Sequence, residues 1–265
     1  MTTSNENRTT GAFGKKAGRV LACACLTALL LAACTQELKT KTVALEKSIP
    51  AENIDASCEI SCSFEYVTGG VSREIMDKIN GSIVANHILF EEADGCTDVE
   101  AASQRWVEQM ENGYGGEGED VDEEDAWMYN FEFSRSGEFN VGCKSRHLVT
   151  YTGTDYDYTG GAHGYTGIGH DVFDLTTGEI VTEADLFVEG YEEPVADLLA
   201  ASLEVYLADI DEDPDMMFSS PEPNGNFAVS EEGITWTYNP YEIAPYSMGI
   251  IDLTVSWADL KPYLR

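Results

Sequence analysis

The stretch that most constrains the fold is Tyr158-Thr-Gly-Gly-Ala-His-Gly164, which lies between two strand-like stretches. Glycine adopts a positive φ without steric cost, so Gly160, Gly161 and Gly164 allow a tight reversal or a bulge that a Cβ would block. One hypothesis is a purely structural turn. The other is that bare backbone here admits a ligand or partner, with His163 and Tyr158 beside it. The segment lacks the spacing and the lysine of a phosphate-binding loop.

Apolar residues alternate in several short stretches and recur at helical spacing in others. The alternation predicts strands over 58–67, 139–151, 168–175, 227–229, 234–238 and 250–257. Ser136-Gly137, just before the second of these strands, is predicted to form a turn. The helical spacing predicts helices over 72–90, from a capping box at Thr97 to Met110, and over 195–210. Thr182-Glu-Ala-Asp185 is predicted to cap a single helical turn, and His87 on the apolar face of the first helix is predicted to be a core or boundary residue. These elements cluster without strict strand–helix–strand alternation. The sequence therefore predicts an α+β fold made of two small subdomains of antiparallel sheet with packed helices.

Residues 1–33 are predicted to be a secretory signal peptide. A basic segment from Arg8 to Arg19 precedes an apolar run, Val20 to Ala33, that is too short to span a bilayer comfortably. Leu31-Ala-Ala-Cys34 looks like a lipobox, after which bacterial lipoproteins are cut and acylated on cysteine. The alternative is an ordinary signal peptide with a chance cysteine. We expect lipid on Cys34, a polar tether over 34–51, and a location in the bacterial cell envelope outside the cytoplasm, with the leaflet open.

The chain is strongly acidic, with a formal charge of −33 from 15 basic and 48 acidic residues. The first 33 residues hold four basic residues and one acid, so the part that follows carries −33 − 3 = −36. Such a surface repels nucleic acid and anionic lipid headgroups, and it attracts cationic partners. We expect no nucleic-acid partner. Solubility in a salty or acidic habitat is the simpler cause of most of this charge.

Four cysteines, Cys58, Cys62, Cys96 and Cys143, follow the predicted lipidation site. In an oxidising compartment they predict two disulfides. If 58–62 is a strand, its two cysteines lie roughly 13 Å apart, about twice the reach of a disulfide. Cys58 and Cys62 would then each pair with Cys96 or Cys143. A zinc site is the alternative, but the sequence has neither C-x-x-C nor nearby histidine pairs. We expect no metal and no cofactor.

Several blocks resemble successive parts of one known domain, the domain of unknown function DUF3298. They are Tyr158–Gly164, Phe173–Gly178, Glu183–Phe187, Phe227–Gly233 and Tyr238-Asn-Pro-Tyr-Glu-Ile-Ala-Pro-Tyr246. Residues 52–157 look like its usual N-terminal companion, of the peptidoglycan-deacetylase type, which leaves 158–265 as the C-terminal domain. The resemblance implies an envelope context: the pair occurs in the outer part of an anti-sigma factor that binds lysozyme, ahead of cell-wall deacetylase domains, and alone in lipoproteins.

Our leading hypothesis is a non-catalytic envelope binding module for lysozyme, peptidoglycan or another envelope ligand. Pro240 and Pro245 stiffen the second aromatic block, so we expect the two most family-like blocks to form one surface. The candidate binding residues are Tyr158, Gly160, Gly161, His163, Gly164, Asn239, Tyr241, Glu242 and Tyr246. The rival hypothesis is a hydrolase that uses His163 with Asp157 or Asp174, although no G-x-S-x-G nucleophile motif accompanies them. A third is a purely structural envelope lipoprotein.

Overall fold

The computed structural model describes residues 21–22, 38–51, 54–114, 128–140, 142–210 and 216–265. Apart from Leu21 and Ala22, the predicted signal peptide lies outside these residues, and so does Cys34. Within them, the chain forms two sheets with helices packed against each, which confirms the predicted α+β class.

The first sheet has six strands in the order of the chain. They are β1 (Leu21–Ala22), β2 (Lys39–Pro50), β3 (Ser57–Gly69), β4 (Phe131–Asn140), β5 (Leu148–Tyr158) and β6 (Tyr165–Asp174). All neighbours are antiparallel except β3 and β4, which are parallel. Two helices, α1 (Arg73–Ile83) and α2 (Val99–Tyr114), lie between β3 and β4 in the chain, since a parallel pair needs a long crossover.

The first core lies between this sheet and the two helices. Cys58, Ile60, Cys62 and Phe64 alternate along β3 with buried side chains, as the sequence predicts, and they belong to the same cluster as the fully buried Trp106 of α2. The Ser72 hydroxyl accepts from the Ile75 N–H and starts α1. One π-helical turn, Val84–Ile88, then ends it. The Asp98 carboxylate caps α2 by accepting from the Ala101 N–H, in place of the predicted Thr97 cap.

The second sheet is antiparallel and contains β7 (Phe227–Val229), β8 (Gly233–Tyr238) and β9 (Ile251–Ser256). Its helices are α3 (Glu183–Leu186), α4 (Glu192–Ile210) and α5 (Trp257–Leu260). Thr182 and Asp185 form the capping box of α3, as predicted. The fully buried Trp236 belongs to this second core.

The hairpin of β5 and β6 is shared between the two cores. Val149 and Phe173 belong to the first core, whereas their chain neighbours Leu148 and Val172 belong to the second. Alternation along a strand places successive side chains on opposite faces, so both faces of the hairpin are covered. The predicted division at 157/158 falls at the end of β5, and β6 remains paired with β5 across it.

Two expectations for local structure need correction. Residues 39–50 form β2 rather than a polar tether, since β2 pairs with β3 along its length and Leu45 is buried in the first core. Ser136-Gly137 lies inside β4 and makes no turn. Instead the predicted 139–151 strand is interrupted by the helical turn Lys144–Arg146, after which His147 adopts a left-handed φ of 58°.

All four described cysteines are free thiols in the structure, so it gives no support to the predicted disulfides. Their placement separates one of them from the other three. Cys58 and Cys62 are buried in the first core, Cys96 packs at its margin, and Cys143 is buried in the second core. Burial raises the pKa of both the Cys58 and the Cys62 thiol to about 11, so each behaves as a small apolar side chain.

Candidate functional site

The two aromatic blocks that the sequence singles out lie against each other. The Tyr246 hydroxyl donates to the Gly164 carbonyl at 2.7 Å. The His163 ring stacks on the Tyr246 ring with a centroid distance of 3.8 Å and an interplanar angle of 18°. The predicted adjacency is therefore confirmed. We call the surface formed by residues 158–165 and 239–246 the turn surface.

The first half of the turn surface connects β5 to β6. Gly160 and Gly161 have φ values of +86° and +93°, which side chains with a Cβ rarely adopt. A Cβ on Gly160 would also lie 2.5 Å from the Met128 carbonyl oxygen, whereas one on Gly161 would meet open space. The Tyr158 hydroxyl donates to the Gly161 carbonyl at 3.1 Å and braces the turn. The glycines are needed here for backbone conformation.

The second half of the turn surface is a β-turn that holds a tyrosine in a strained position. The Glu242 N–H donates to the Asn239 carbonyl at 3.1 Å and closes the turn over Pro240 and Tyr241. Proline followed by a residue of positive φ is the type II pattern, which favours glycine at its third position. Tyr241 occupies that position with φ +72°, and 54% of its surface is exposed. Such a conformation costs on the order of 1–3 kcal/mol.

Two asparagines join this turn to the edge of the first sheet. The Asn239 amide accepts from the Ile168 N–H at 2.7 Å and donates to the Ile168 carbonyl at 3.0 Å, as a neighbouring strand would. Asn226 donates to the same carbonyl and accepts from the His170 N–H. Since β6 is an edge strand, these side chains satisfy backbone groups that would otherwise pair with another chain.

The exposed part of the turn surface is aromatic with one acidic neighbour. His163, Tyr165 and Tyr241 are exposed, and Tyr158 and Tyr246 are half-buried. The Tyr241 and Tyr246 ring centroids lie 5.7 Å apart. Partial burial and then the Glu242 carboxylate raise the pKa of the Tyr165 phenol, so its hydroxyl remains a hydrogen-bond donor at neutral pH. The surface offers flat rings, hydroxyl donors and a carboxylate to a partner.

The histidine–carboxylate pair of the rival hypothesis is not assembled here. The His163 Nδ1 lies 3.0 Å from the Gly164 carbonyl oxygen. The Asp174 carboxylate accepts from the backbone N–H and the hydroxyl of Thr176, both at 2.7 Å, and so it belongs to another turn. In the part of the chain that the structure describes, no hydrogen bond or ion pair joins His163 to Asp157 or Asp174.

Part of the turn surface lies in a segment of the chain that matches a known protein family. Residues 184–258 match the family model of DUF3298, a protein family of unknown function. The chain carries a DUF3298 domain. The matched residues include the 239–246 half of the turn surface and exclude the 158–165 half. No curated protein matches the chain.

Two solved structures of DUF3298 proteins share most of the fold. A member of the family from Bacteroides fragilis NCTC 9343 has 22% sequence identity and a TM-score of 0.75, with 87% of this chain and 95% of that chain covered. A DUF3298 family protein from Pseudomonas aeruginosa PAO1 has 18% identity and a TM-score of 0.61, with 86% and 94% covered. The likeness extends beyond the DUF3298 domain to the first sheet, since it covers so much of this chain.

A buried histidine–carboxylate pair lies under the first sheet's helices, on the side away from the DUF3298 domain. The His87 Nε2 lies 3.1 Å from the Asp171 Oδ2, to which the Asn86 amide also donates. Both side chains are almost fully buried, as predicted for His87. Three glycines in register, Gly137, Gly153 and Gly169, lie across β4, β5 and β6 below this pair. No local motif marks this cluster, because its members are far apart in the chain.

A polar chain links the first sheet to the DUF3298 domain through His170. Thr237 donates to the Asp252 carboxylate at 2.6 Å, so it must accept from the His170 Nε2–H at 2.9 Å. Asn140 donates to the Thr152 oxygen, and Thr152 then donates to the His170 Nδ1 at 3.0 Å. Burial lowers the pKa of His170, which keeps the ring in the neutral form that these hydrogen bonds require. Sequence reasoning missed this contact.

No described helix is both long and apolar enough to cross a membrane.

Proposed function

We propose that the chain is a lipid-anchored, non-catalytic binding module of the bacterial cell envelope, and that its turn surface binds lysozyme, peptidoglycan or another envelope ligand. The observation that carries the proposal is Tyr241, an exposed aromatic side chain held at a positive φ. Glycine would satisfy the same turn without strain. Strained residues of this kind occur at ligand clamps, where the surrounding structure fixes them.

The surroundings of Tyr241 favour recognition because they are rigid. Three features hold the aromatic rings in place before any partner binds. Two prolines restrict the backbone, the Asn239 side chain hydrogen-bonds to the Ile168 backbone, and the His163 and Tyr246 rings stack on each other. Little side-chain entropy would then be lost on binding. Tyrosine supplies a large flat contact with a polar tip, which suits both sugars and protein surfaces.

The charge of the chain favours a cationic partner such as lysozyme. The formal charge of −33 creates an attractive field for basic proteins, and Glu242 supplies a carboxylate within the turn surface itself. Complementary charge raises the association rate more than the affinity. Peptidoglycan would instead depend on stacking and hydroxyl contacts, so its binding would respond less to salt.

The finer parts of the family resemblance belong to the same proposal. The lipobox at Leu31–Cys34 supports the lipid anchor, and the resemblance of 52–157 supports a deacetylase-associated companion domain. The lysozyme-sensing anti-sigma factors supply the precedent for a lysozyme partner. The third hypothesis, a structural lipoprotein, predicts no ligand at the turn surface.

The test is capture of cationic lysozymes and of soluble peptidoglycan fragments by the purified chain, followed by calorimetry on each ligand that binds. His163→Ala and Tyr241→Ala should weaken binding while the protein stays folded. Val205→Ala is the control, because Val205 is 63% exposed on α4. Equal affinity of all three variants and the parent would place the functional surface elsewhere. Turnover of peptidoglycan that depends on His163 would favour the hydrolase.

A further inference from the structure

We propose that the end of the first sheet where β2 begins lies against the membrane, with its basic side chains at anionic lipid headgroups, so that the turn surface points away from the bilayer. The proposal rests on the lipid anchor at Cys34 described above. We call this end the β2-start end. It consists of the first residues of β2 and the connections that leave β3, β4 and β6 beside it.

The distance between the anchor and the fold is short. Leu38 is 3% exposed in the first core, and β2 begins at Lys39. Four peptide steps separate Cys34 from Leu38, which span at most about 14 Å. A tether over 34–51 would have left the orientation of the fold open. Because most of that segment is a strand of the sheet, a lipid on Cys34 instead holds the β2-start end within about 14 Å of the bilayer.

The register of the sheet shows which segments lie at this end. Lys39 pairs with Gly69, so β2 begins where β3 ends. Since β3 and β4 are parallel, the connection after β4 leaves at the same end, and it carries Lys144 and Arg146. Arg73 opens α1 directly after β3.

Basic residues are concentrated here. Eleven basic residues (15 − 4) follow the predicted signal peptide. Six of the eleven lie at the β2-start end: Lys39, Lys41, Arg73, Lys78, Lys144 and Arg146. The side chain of Arg73 is 88% exposed, and Lys39 and Lys41 are exposed as well. Lysine and arginine next to a membrane surface contribute about 1 kcal/mol each toward anionic lipid.

Acidic groups also lie at this end, and they set a limit on its charge. Glu74 and Glu179 pair with Lys78, Asp77 lies 3.6 Å from the Arg73 Nε, and Glu231 accepts from the Lys144 backbone N–H. The Tyr66 hydroxyl contacts Glu100 nearby. Glu65, which accepts from Thr40, and Asp174, which pairs with Leu148, bring the carboxylates at this end to seven, so it carries 6 − 7 = −1 of the −36 that follows the signal peptide. The rest of the surface would be repelled by anionic headgroups, so this end is the one that tolerates them.

The turn surface lies at the opposite end of the same strands. β5 begins at Leu148, beside Arg146, and ends at Tyr158, where the turn surface starts. Eleven residues of strand span about 33 Å. An anchor at one end therefore presents the other end outward, where a soluble or wall-bound ligand is accessible.

The experiment uses the acylated full-length protein in vesicles that contain phosphatidylglycerol and lipids with brominated acyl chains. A fluorophore is attached at Ser145→Cys or at Ala162→Cys, both exposed positions at opposite ends of β5, in a Cys96→Ser background. We expect the dye at 145 to be quenched several times more strongly than the dye at 162. Lys39→Glu combined with Arg73→Glu should reduce that quenching, and Lys47→Glu, outside this end, should leave it unchanged.

Two controls separate this proposal from the lipid anchor itself. The Cys34→Ala protein should stay out of the floating vesicle fraction; if it floats like the parent, the anchor is wrong and this proposal falls with it. A flexible insert of about 20 residues after Gln36 should keep flotation and reduce the difference between the two dyes, because the short tether no longer holds the β2-start end at the bilayer. Flotation of the parent with equal quenching at 145 and 162 would overturn the proposed orientation alone.

Discussion

Two sets of three glycines in the chain have different structural roles. Gly160, Gly161 and Gly164 lie together in the turn surface, where two of them have positive φ. Gly137, Gly153 and Gly169 lie 16 residues apart and pair in register across β4, β5 and β6. In the turn, glycine allows a backbone conformation. In the strands, it leaves room for buried side chains, since a Cβ on Gly153 would lie 2.1 Å from the His87 Nδ1.

This difference shows that glycine-rich sequence is informative only when the glycines are close together. The turn glycines mark a surface whose backbone is bent and whose aromatic neighbours are exposed. The strand glycines hold the His87 and Tyr151 rings against the sheet, with ring centroids 5.1 Å apart. The first set is tied to recognition and the second to stability, so substitutions in the two sets should have separable effects.

The largest effect on stability is expected in the strand glycines. Gly153→Ala should lower the free energy of unfolding by about 3 kcal/mol, because the new Cβ overlaps the buried His87 ring. Gly169→Ala is the matched control, since its Cβ would lie 3.9 Å from the same ring at ordinary contact. Urea denaturation followed by circular dichroism measures both. Equal losses for the two variants would mean that strand propensity, rather than contact with His87, sets the cost.

A smaller effect is expected in the turn glycines. Gly160→Ala should cost about 2 kcal/mol, since it combines an unfavourable φ with a Cβ 2.5 Å from the Met128 carbonyl oxygen. Gly161→Ala has the unfavourable φ alone and should cost about 1 kcal/mol. The same denaturation experiment ranks them. A larger cost at Gly161 than at Gly160 would contradict the account of the turn.

The smallest effect on stability is a pH dependence at His170, where the two sheets meet. Burial lowers its folded pKa below the ordinary 6.5, so the unfolded chain takes up the proton first. The stability that neutral His170 contributes is complete above pH 6.5 and is lost as the pH falls toward the folded pKa. The stability advantage of the parent over His170→Gln should therefore shrink between about pH 7.5 and pH 5. Thermal melts of both proteins across this range test it; a growing advantage would reverse the sign.

Sequence reasoning located what is local and missed what is distant. The alternation along 58–64, the capping box at Thr182, and the strands of the second sheet were predicted within a few residues. So was the contact of the two aromatic blocks. The tether was wrong, because Leu45 and its alternate neighbours Val43 and Ile49 pack on the first core, while the polar Glu46 and Ser48 between them lie on the exposed face. Gly137 was predicted to lie in a turn, but it lies inside β4, where a Cβ would overlap the side chain of Tyr151 on the neighbouring strand β5.

The buried pairs could not be predicted for the same reason. His87 and Asp171 come from a π-helical turn and an edge strand that are 84 residues apart. His170 reaches Thr152 and Thr237 from two different sheets. Such contacts depend on the topology, which no short motif encodes. The strained φ of Tyr241 has a partial signal, since Asn-Pro-Tyr-Glu places a non-glycine residue where a type II turn favours glycine.

The central claim, that the turn surface is a recognition surface, is tested most directly at Tyr241. Tyr241→Gly relieves the strained φ and removes the exposed ring in one step. We predict a protein at least as stable as the parent, by up to about 1 kcal/mol, that binds lysozyme or a peptidoglycan fragment at least about tenfold more weakly in calorimetry. A variant that gains stability and keeps its full affinity would contradict the claim and leave Tyr241 as a strained residue without a role in binding.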